Sequence, residues 1–171
     1  MNKENNILNL FFNESSKHWH FEEIIKEGKI SRDKANRWLI KFQKEGLIKR
    51  IKEKGKMPYY ISDFESPAYK NRKRLFALEQ FYKIGFLNHL MELKDARTII
   101  LFGSFTRSDW HSGSDIDLFM LGKADDFKQA TYEKKLKREI QTFIYKDIDK
   151  IGKGLLRSIS AGYVIKGNIN A

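Results

Sequence analysis

Along the first third of the chain, apolar residues recur at intervals of three and four; in the last third they gather into short runs. The first pattern predicts amphipathic helices, the second buried strands. Ile7, Leu8, Leu10, Phe11 and Phe12 form one apolar group and predict a first helix. Phe21, Ile24 and Ile25 predict a second, closed by Gly28. Ser31 is a suitable N-cap for a third, whose Ala35, Trp38, Leu39 and Phe42 make one stripe that Gly46 ends. Leu47 to Ile51 and Met57 to Ser62 then read as two strands around the polar turn Lys52-Glu53-Lys54-Gly55-Lys56. Pro58, which has no N–H to donate, is expected to confine the second strand to a sheet edge.

From Pro67 to about Leu93 the pattern predicts one long helix, with a basic start and Leu75, Leu78, Phe81, Tyr82 and Phe86 on an apolar side. That side is a possible homodimer surface. From Arg97 the chain changes to mixed α/β. Thr98–Phe102, Ile116–Leu121 and Glu139–Tyr145 read as strands, with Tyr163–Ile165 as a short last one. Asp125–Arg138 and Asp149–Ala161 read as helices. Three organisational segments follow: residues 1–66, a connecting helix at 67–94, and residues 95–171.

Candidate chemistry concentrates in the third segment. Gly103-Ser104 follows a buried strand, where a glycine lets the backbone turn and lets a phosphate come close. Asp115 and Asp117 are two apart, which on a strand puts both carboxylates on one face. Two such carboxylates can hold Mg2+ or Mn2+ against phosphate groups, whose oxygens complete the coordination. The loop Asp109-Trp110-His111-Ser112-Gly113 reads as a flexible lip, and His111 as a residue without a catalytic role. His18, His20 and His89 read as ordinary surface or boundary residues.

The stretch from Leu101-Phe102-Gly103-Ser104-Phe105-Thr106-Arg107 to Ser114-Asp115-Ile116-Asp117-Leu118-Phe119 resembles the minimal nucleotidyltransferases of the DNA polymerase beta superfamily. The resemblance covers roughly residues 95–167. It implies Gly103, Ser104 and Arg107 at the nucleotide, and Asp115 and Asp117 as metal ligands and catalytic carboxylates. It also implies a third carboxylate on a later strand, and the position that aligns with it holds Gln141. A glutamine amide cannot accept a proton at neutral pH. Glu139, two residues upstream, could take that place only with a different register.

Three helices and a hairpin make the pattern of a winged helix-turn-helix. The whole chain is similar to archaeal-type proteins that join such a module to a nucleotidyltransferase. The segment Glu65-Ser66-Pro67-Ala68-Tyr69-Lys70-Asn71 and the ending Gly162-Tyr163-Val164-Ile165-Lys166-Gly167 also fit. The expected fold is thus α+β: a winged helix, a long connecting helix, and a polymerase-beta-like domain with a mixed sheet and flanking helices. On the third helix, Arg32, Asn36 and Arg37 suit base edges and Lys34 and Lys41 suit phosphates. Lys54 and Lys56 place further charge on the hairpin turn.

Composition agrees with anionic partners. The 171 residues hold 33 Lys and Arg against 22 Asp and Glu, a net charge of +11, spread over all three segments. No cysteine is present, which excludes disulfides and thiol chemistry. No apolar run approaches the roughly 18 residues that span a bilayer, so a cytoplasmic protein without membrane contact is expected. Expected partners are DNA, a nucleotide, and an acceptor with a hydroxyl group, on a partner protein as in antitoxin-like relatives. The competing expectation is a transcriptional regulator whose C-terminal domain senses nucleotides without turnover.

Overall fold

A computed structural model describes residues 3–169. The chain forms two compact units, Met1–Lys73 and Arg74–Ala171.

The first unit contains α1 (Lys3–Asn13), α2 (Phe21–Gly28), α3 (Arg32–Lys44), β1 (Ile48–Ile51) and β2 (Tyr59–Ser62). The predicted stripe is buried: Ala35, Leu39 and Phe42 on α3 are all at 0% exposure, as are Ile7 and Phe12 on α1. Burying a side chain of leucine or phenylalanine size stabilises by about 1.5–3 kcal/mol, so this stripe fixes the three-helix packing. Ser31 takes the N-cap position of α3 but gives no side-chain bond to a described residue there. His20 forms the capping box of α2 instead, its backbone N–H donating to Glu23 Oε2 at 2.9 Å. β1 and β2 pair antiparallel, Ile48 opposite Ser62 and Ile51 opposite Tyr59. Trp19 adds a bridge on the far side of β2, exchanging two backbone hydrogen bonds of 2.8 Å with Tyr60. β2 is an edge of this two-stranded sheet, as Pro58 suggests, and the Trp19 bridge covers that edge at Tyr60. The proline lies just before the strand, where no ladder donor is needed.

The segment predicted as one helix is two. α4 (Pro67–Lys83) ends before Gly85, and α5 (Phe86–Glu92) begins after it. Gly85 sits at φ +77°, a left-handed conformation that breaks the helical hydrogen-bond run. The first turns of α4 belong to the first unit, where the Tyr69 hydroxyl donates to Phe11 O at 2.9 Å and the buried Lys73 ammonium donates to Ser15 Oγ at 3.0 Å. Its later turns belong to the second unit, where Phe81 packs on Phe86 and Phe105.

The second unit carries β3 (Ala96–Phe102), α6 (Ser104–Arg107), β4 (Ile116–Gly122), α7 (Gln129–Leu136), β5 (Ile140–Tyr145), α8 (Lys153–Ser160) and β6 (Tyr163–Lys166). The sheet runs β5-β4-β3-β6. β3 pairs antiparallel with β4 and β6, and β4 pairs parallel with β5. The predicted strands are all present, whereas the helix expected over 125–138 shortens to α7. Its would-be first turn is taken by the turns around Asp125 and Asp126, and Lys137 ends it at φ +54°. Ile100, Phe102, Phe119 and Leu121 form one apolar face of the sheet, closed by Ile159 of α8, with Phe143 and Tyr145 of β5 packed beside them. Among the described residues, no helix is long and apolar enough to cross a membrane.

Candidate active site

The face that α8 covers turns polar at one end of the sheet. Asp117 shares its strand face with Phe119 and Leu121, and in the parallel ladder it stands opposite Gln141, which shares its face with Phe143 and Tyr145. Asp115 precedes β4 by one residue, on the same side as Asp117. The predicted pair is thus anchored by an apolar strand whose inner residues Ile116, Leu118, Phe119 and Met120 are at most 1% exposed.

Gly103 is brought to the same place by pairing. Phe102 lies opposite Asp117 in the antiparallel ladder, so the next residue meets the Asp117 side chain. Gly103 has φ +73° and ψ −146°, a conformation essentially restricted to glycine. A Cβ on it would clash with Oδ2 of Asp117 and come within 2.9 Å of its Cγ and 3.3 Å of its Cβ. The glycine therefore serves two needs at once, the turn and the space for the carboxylate. Its carbonyl accepts from the Thr106 hydroxyl at 3.0 Å and from the Arg107 N–H at 3.2 Å, which closes α6. Ser104 starts this helix, half-buried, and Arg107 is exposed at its end, paired with Asp109 at 3.0 Å.

Burial, and next the neighbouring Asp115 charge, push the Asp117 carboxyl above the usual carboxylate range; Arg107 opposes them. Asp115 Oδ2 accepts a hydrogen bond from Gln141 Nε2 at 2.8 Å. Among the described residues no three His, Cys, Asp or Glu side chains come together to hold a metal. The donor set is two carboxylates and one amide, all able to offer oxygen, beside a glycine turn. It fits a hard cation such as Mg2+ or Mn2+ that takes its remaining ligands from phosphates. Asp115, Asp117 and the amide oxygen of Gln141 would supply the protein's share.

The loop between α6 and β4 is tied down, contrary to the expected flexible lip. The His111 N–H donates to Ser114 Oγ at 2.9 Å, and the Gly113 N–H donates to His111 Nδ1 at 3.1 Å. His111 thus shapes the loop. Arg138, which sequence reasoning passed over, donates from Nη1 to the carbonyls of His111 at 2.7 Å, Ser112 at 3.1 Å and Ser114 at 2.8 Å. Its guanidinium lies 5.3 Å from the Phe105 ring centroid and 5.4 Å from that of Trp110. Burial pushes its pKa down, and Asp115 opposes that. Nothing in its sequence context, the run Lys134 to Arg138, separated it from surface charge.

In the first unit, Arg32, Lys34, Asn36 and Arg37 are exposed on α3. Arg32 is paired with Glu22 at 2.5 Å. Lys41 turns to Glu4 at 2.9 Å and Glu45 at 3.7 Å, and the Glu4 contact raises its pKa. Lys54 is exposed at the hairpin tip, and Lys56 pairs with Glu53. A cleft of about 750 Å³ between α3 and the hairpin is lined by Arg32, Asn36, Gln43 and Arg50 together with Phe21 and Ile40. Arg50, exposed on β1, is an addition that the sequence pattern did not single out. The remaining histidines have structural contacts. His18 stacks on Tyr59 at 4.3 Å, and His89 accepts the Lys128 N–H at Nε2.

Residues 85–165 match the model of the nucleotidyltransferase domain family. The matched stretch runs from Gly85 through the end of α8 into β6, and the mixed sheet with flanking helices fits such a domain. No curated protein and no solved structure matches the chain.

Proposed function

We propose that the chain is a DNA-binding, nucleotidyltransferase-like protein that takes a nucleoside triphosphate with Mg2+ or Mn2+. The observation that carries the reading is the contact between the Gly103 turn and the Asp117 carboxylate. It brings the glycine turn directly against the acidic pair. Gly103 and Ser104 face the triphosphate, Arg107 balances its charge, and Asp115 and Asp117 hold the cation. The cation, when bound, supplies positive charge to the phosphate oxygens. In the transfer, an acceptor hydroxyl oxygen bonds to the α-phosphorus, the bond to pyrophosphate breaks, and the hydroxyl proton passes to solvent or a base on the acceptor. The acceptor in this reading sits on a partner protein, in an antitoxin-like arrangement, and the protein acts in the cytoplasm.

The first unit acts in this reading as a winged-helix DNA-binding module. Its order of three helices and a hairpin, the bridge from Trp19 to Tyr60, and the arginine-lined cleft beside α3 support that. Leu75 and Tyr82, 61% and 60% exposed on one side of α4, support a homodimer.

One observation favours a second reading, a transcriptional regulator that senses nucleotides with little or no turnover. Gln141 stands beside Asp117 and donates to Asp115, where a proton acceptor would aid chemistry. Labelled ATP with Mg2+ and cell extract separates the two. Label transferred to an acceptor, and lost in Asp115→Ala with Asp117→Ala, supports transfer. Saturable nucleotide binding that alters DNA affinity without labelling supports sensing. No nucleotide binding at all removes both.

A further inference from the structure

We propose that Arg138 is a positioning residue that holds Asp115 in place for the cation, acting through the loop of residues 111–114; this rests on the reading of Asp115 and Asp117 as cation ligands. Asp115 is fixed from two directions. On one side its carboxylate accepts from Gln141, on β5. On the other, the carbonyl of Ser114, its immediate neighbour in the chain, accepts from Arg138 at 2.8 Å. Arg138 lies just before β5, so one short stretch of chain supplies both restraints.

The contacts combine a charge with a planar face. One nitrogen meets three carbonyls of a single loop, and such convergence of partial negative charge suits a cation. The planar group also faces the rings of Phe105 and Trp110, which stack on each other with centroids 5.2 Å apart and are each 3% exposed. Phe105 belongs to α6, the helix that begins at the Gly103-Ser104 turn. Arg138 thus joins the turn, the loop and the start of β5. A lysine retains the charge but has no planar face to lie on the two rings.

The test uses the full chain with Mn2+ as probe, its free concentration followed by electron paramagnetic resonance. Hydrogen exchange of residues 109–115 is read alongside. Arg138→Met is expected to weaken Mn2+ binding about 10–100-fold, the usual range for groups that orient metal ligands. Exchange should quicken in the loop while β3 and β4 keep their protection, which a general loss of fold would not allow. Arg138→Lys should recover only a small part of the affinity, and it carries the test if Arg138→Met does not fold. Full recovery with lysine overturns the proposal, because charge alone would then suffice. Unchanged Mn2+ affinity, or weakened binding with an unchanged loop, overturns it as well. Asp115→Ala with Asp117→Ala binding Mn2+ as tightly as the original chain means that the cation reading itself is wrong, and the proposal falls with it.

Discussion

Gly103 and Asp117 lie so close that a Cβ on residue 103 would clash with the carboxylate. Their closeness follows from the pairing of Phe102 with Asp117 across two strands. Gly103→Ala must both adopt φ +73° and displace the carboxylate. Strained backbone of this kind costs about 1–3 kcal/mol, and the overlap adds to it. Thermal unfolding of the second unit should shift down, and nucleotide binding should be lost. Adding Asp117→Ala should restore part of the stability, since two of the three crowding atoms go, but none of the binding. A double variant no more stable than Gly103→Ala would refute the crowding argument.

The raised pKa of Asp117 has a definite sign. Its folded form holds the proton more tightly than the unfolded chain does, so ionising it lowers stability. Without a cation, stability should therefore fall as pH rises from the ordinary carboxylate range through the raised folded value. Asp117→Asn removes this dependence, should melt higher than the original chain at neutral pH, and should gain nothing from Mg2+. Melting curves of the original chain and of Asp117→Asn from pH 4 to pH 8, with and without Mg2+, check the sign; an original chain that gains on Asp117→Asn as pH rises contradicts it.

Gln141→Asp would put a third carboxylate beside Asp117 and remove the hydrogen bond to Asp115. In the absence of metal, like charges at this point destabilise. In its presence, Mn2+ should bind more tightly than to the original chain. Calorimetry with Mn2+ reads this directly. Any gain in nucleotidyl transfer would locate the limit on turnover at this residue, whereas looser Mn2+ binding would count against the pairing seen in the sheet.

The proposed DNA binding by the first unit makes separate demands on its residues. Asn36→Ala or Arg37→Ala should cost about 1–3 kcal/mol at a preferred sequence and less elsewhere, as for contacts to base edges. Lys54→Ala should weaken binding alike on all sequences and reduce the salt dependence by about one unit of slope. Titrations of labelled duplexes at several salt concentrations measure both. Lys41 is already engaged by Glu4 and Glu45, so its replacement should matter less than that of Lys54.

Some of this was readable in advance. The buried stripe of α3 and the runs that became β3, β4 and β5 announce themselves, because burial imposes a period on the sequence. Local backbone demands were harder to read. Gly85 splits a segment whose apolar spacing is helical throughout, and a helical period on both sides conceals a single left-handed residue. His20, not an obvious cap, starts α2 because Glu23, three residues on, reaches back to its N–H. Arg138 was missed because its partners are carbonyls, which every residue has and no sequence pattern displays.

The order of residues alone determined that Asp115 and Asp117 share a face and that a glycine follows a buried strand, since both depend on near neighbours and the pleat. Which strand lies beside which was decided only in three dimensions. That choice put Gly103 against Asp117, Gln141 on Asp115 and Arg138 under the loop, because contacts between distant segments are set by how the whole apolar surface is buried.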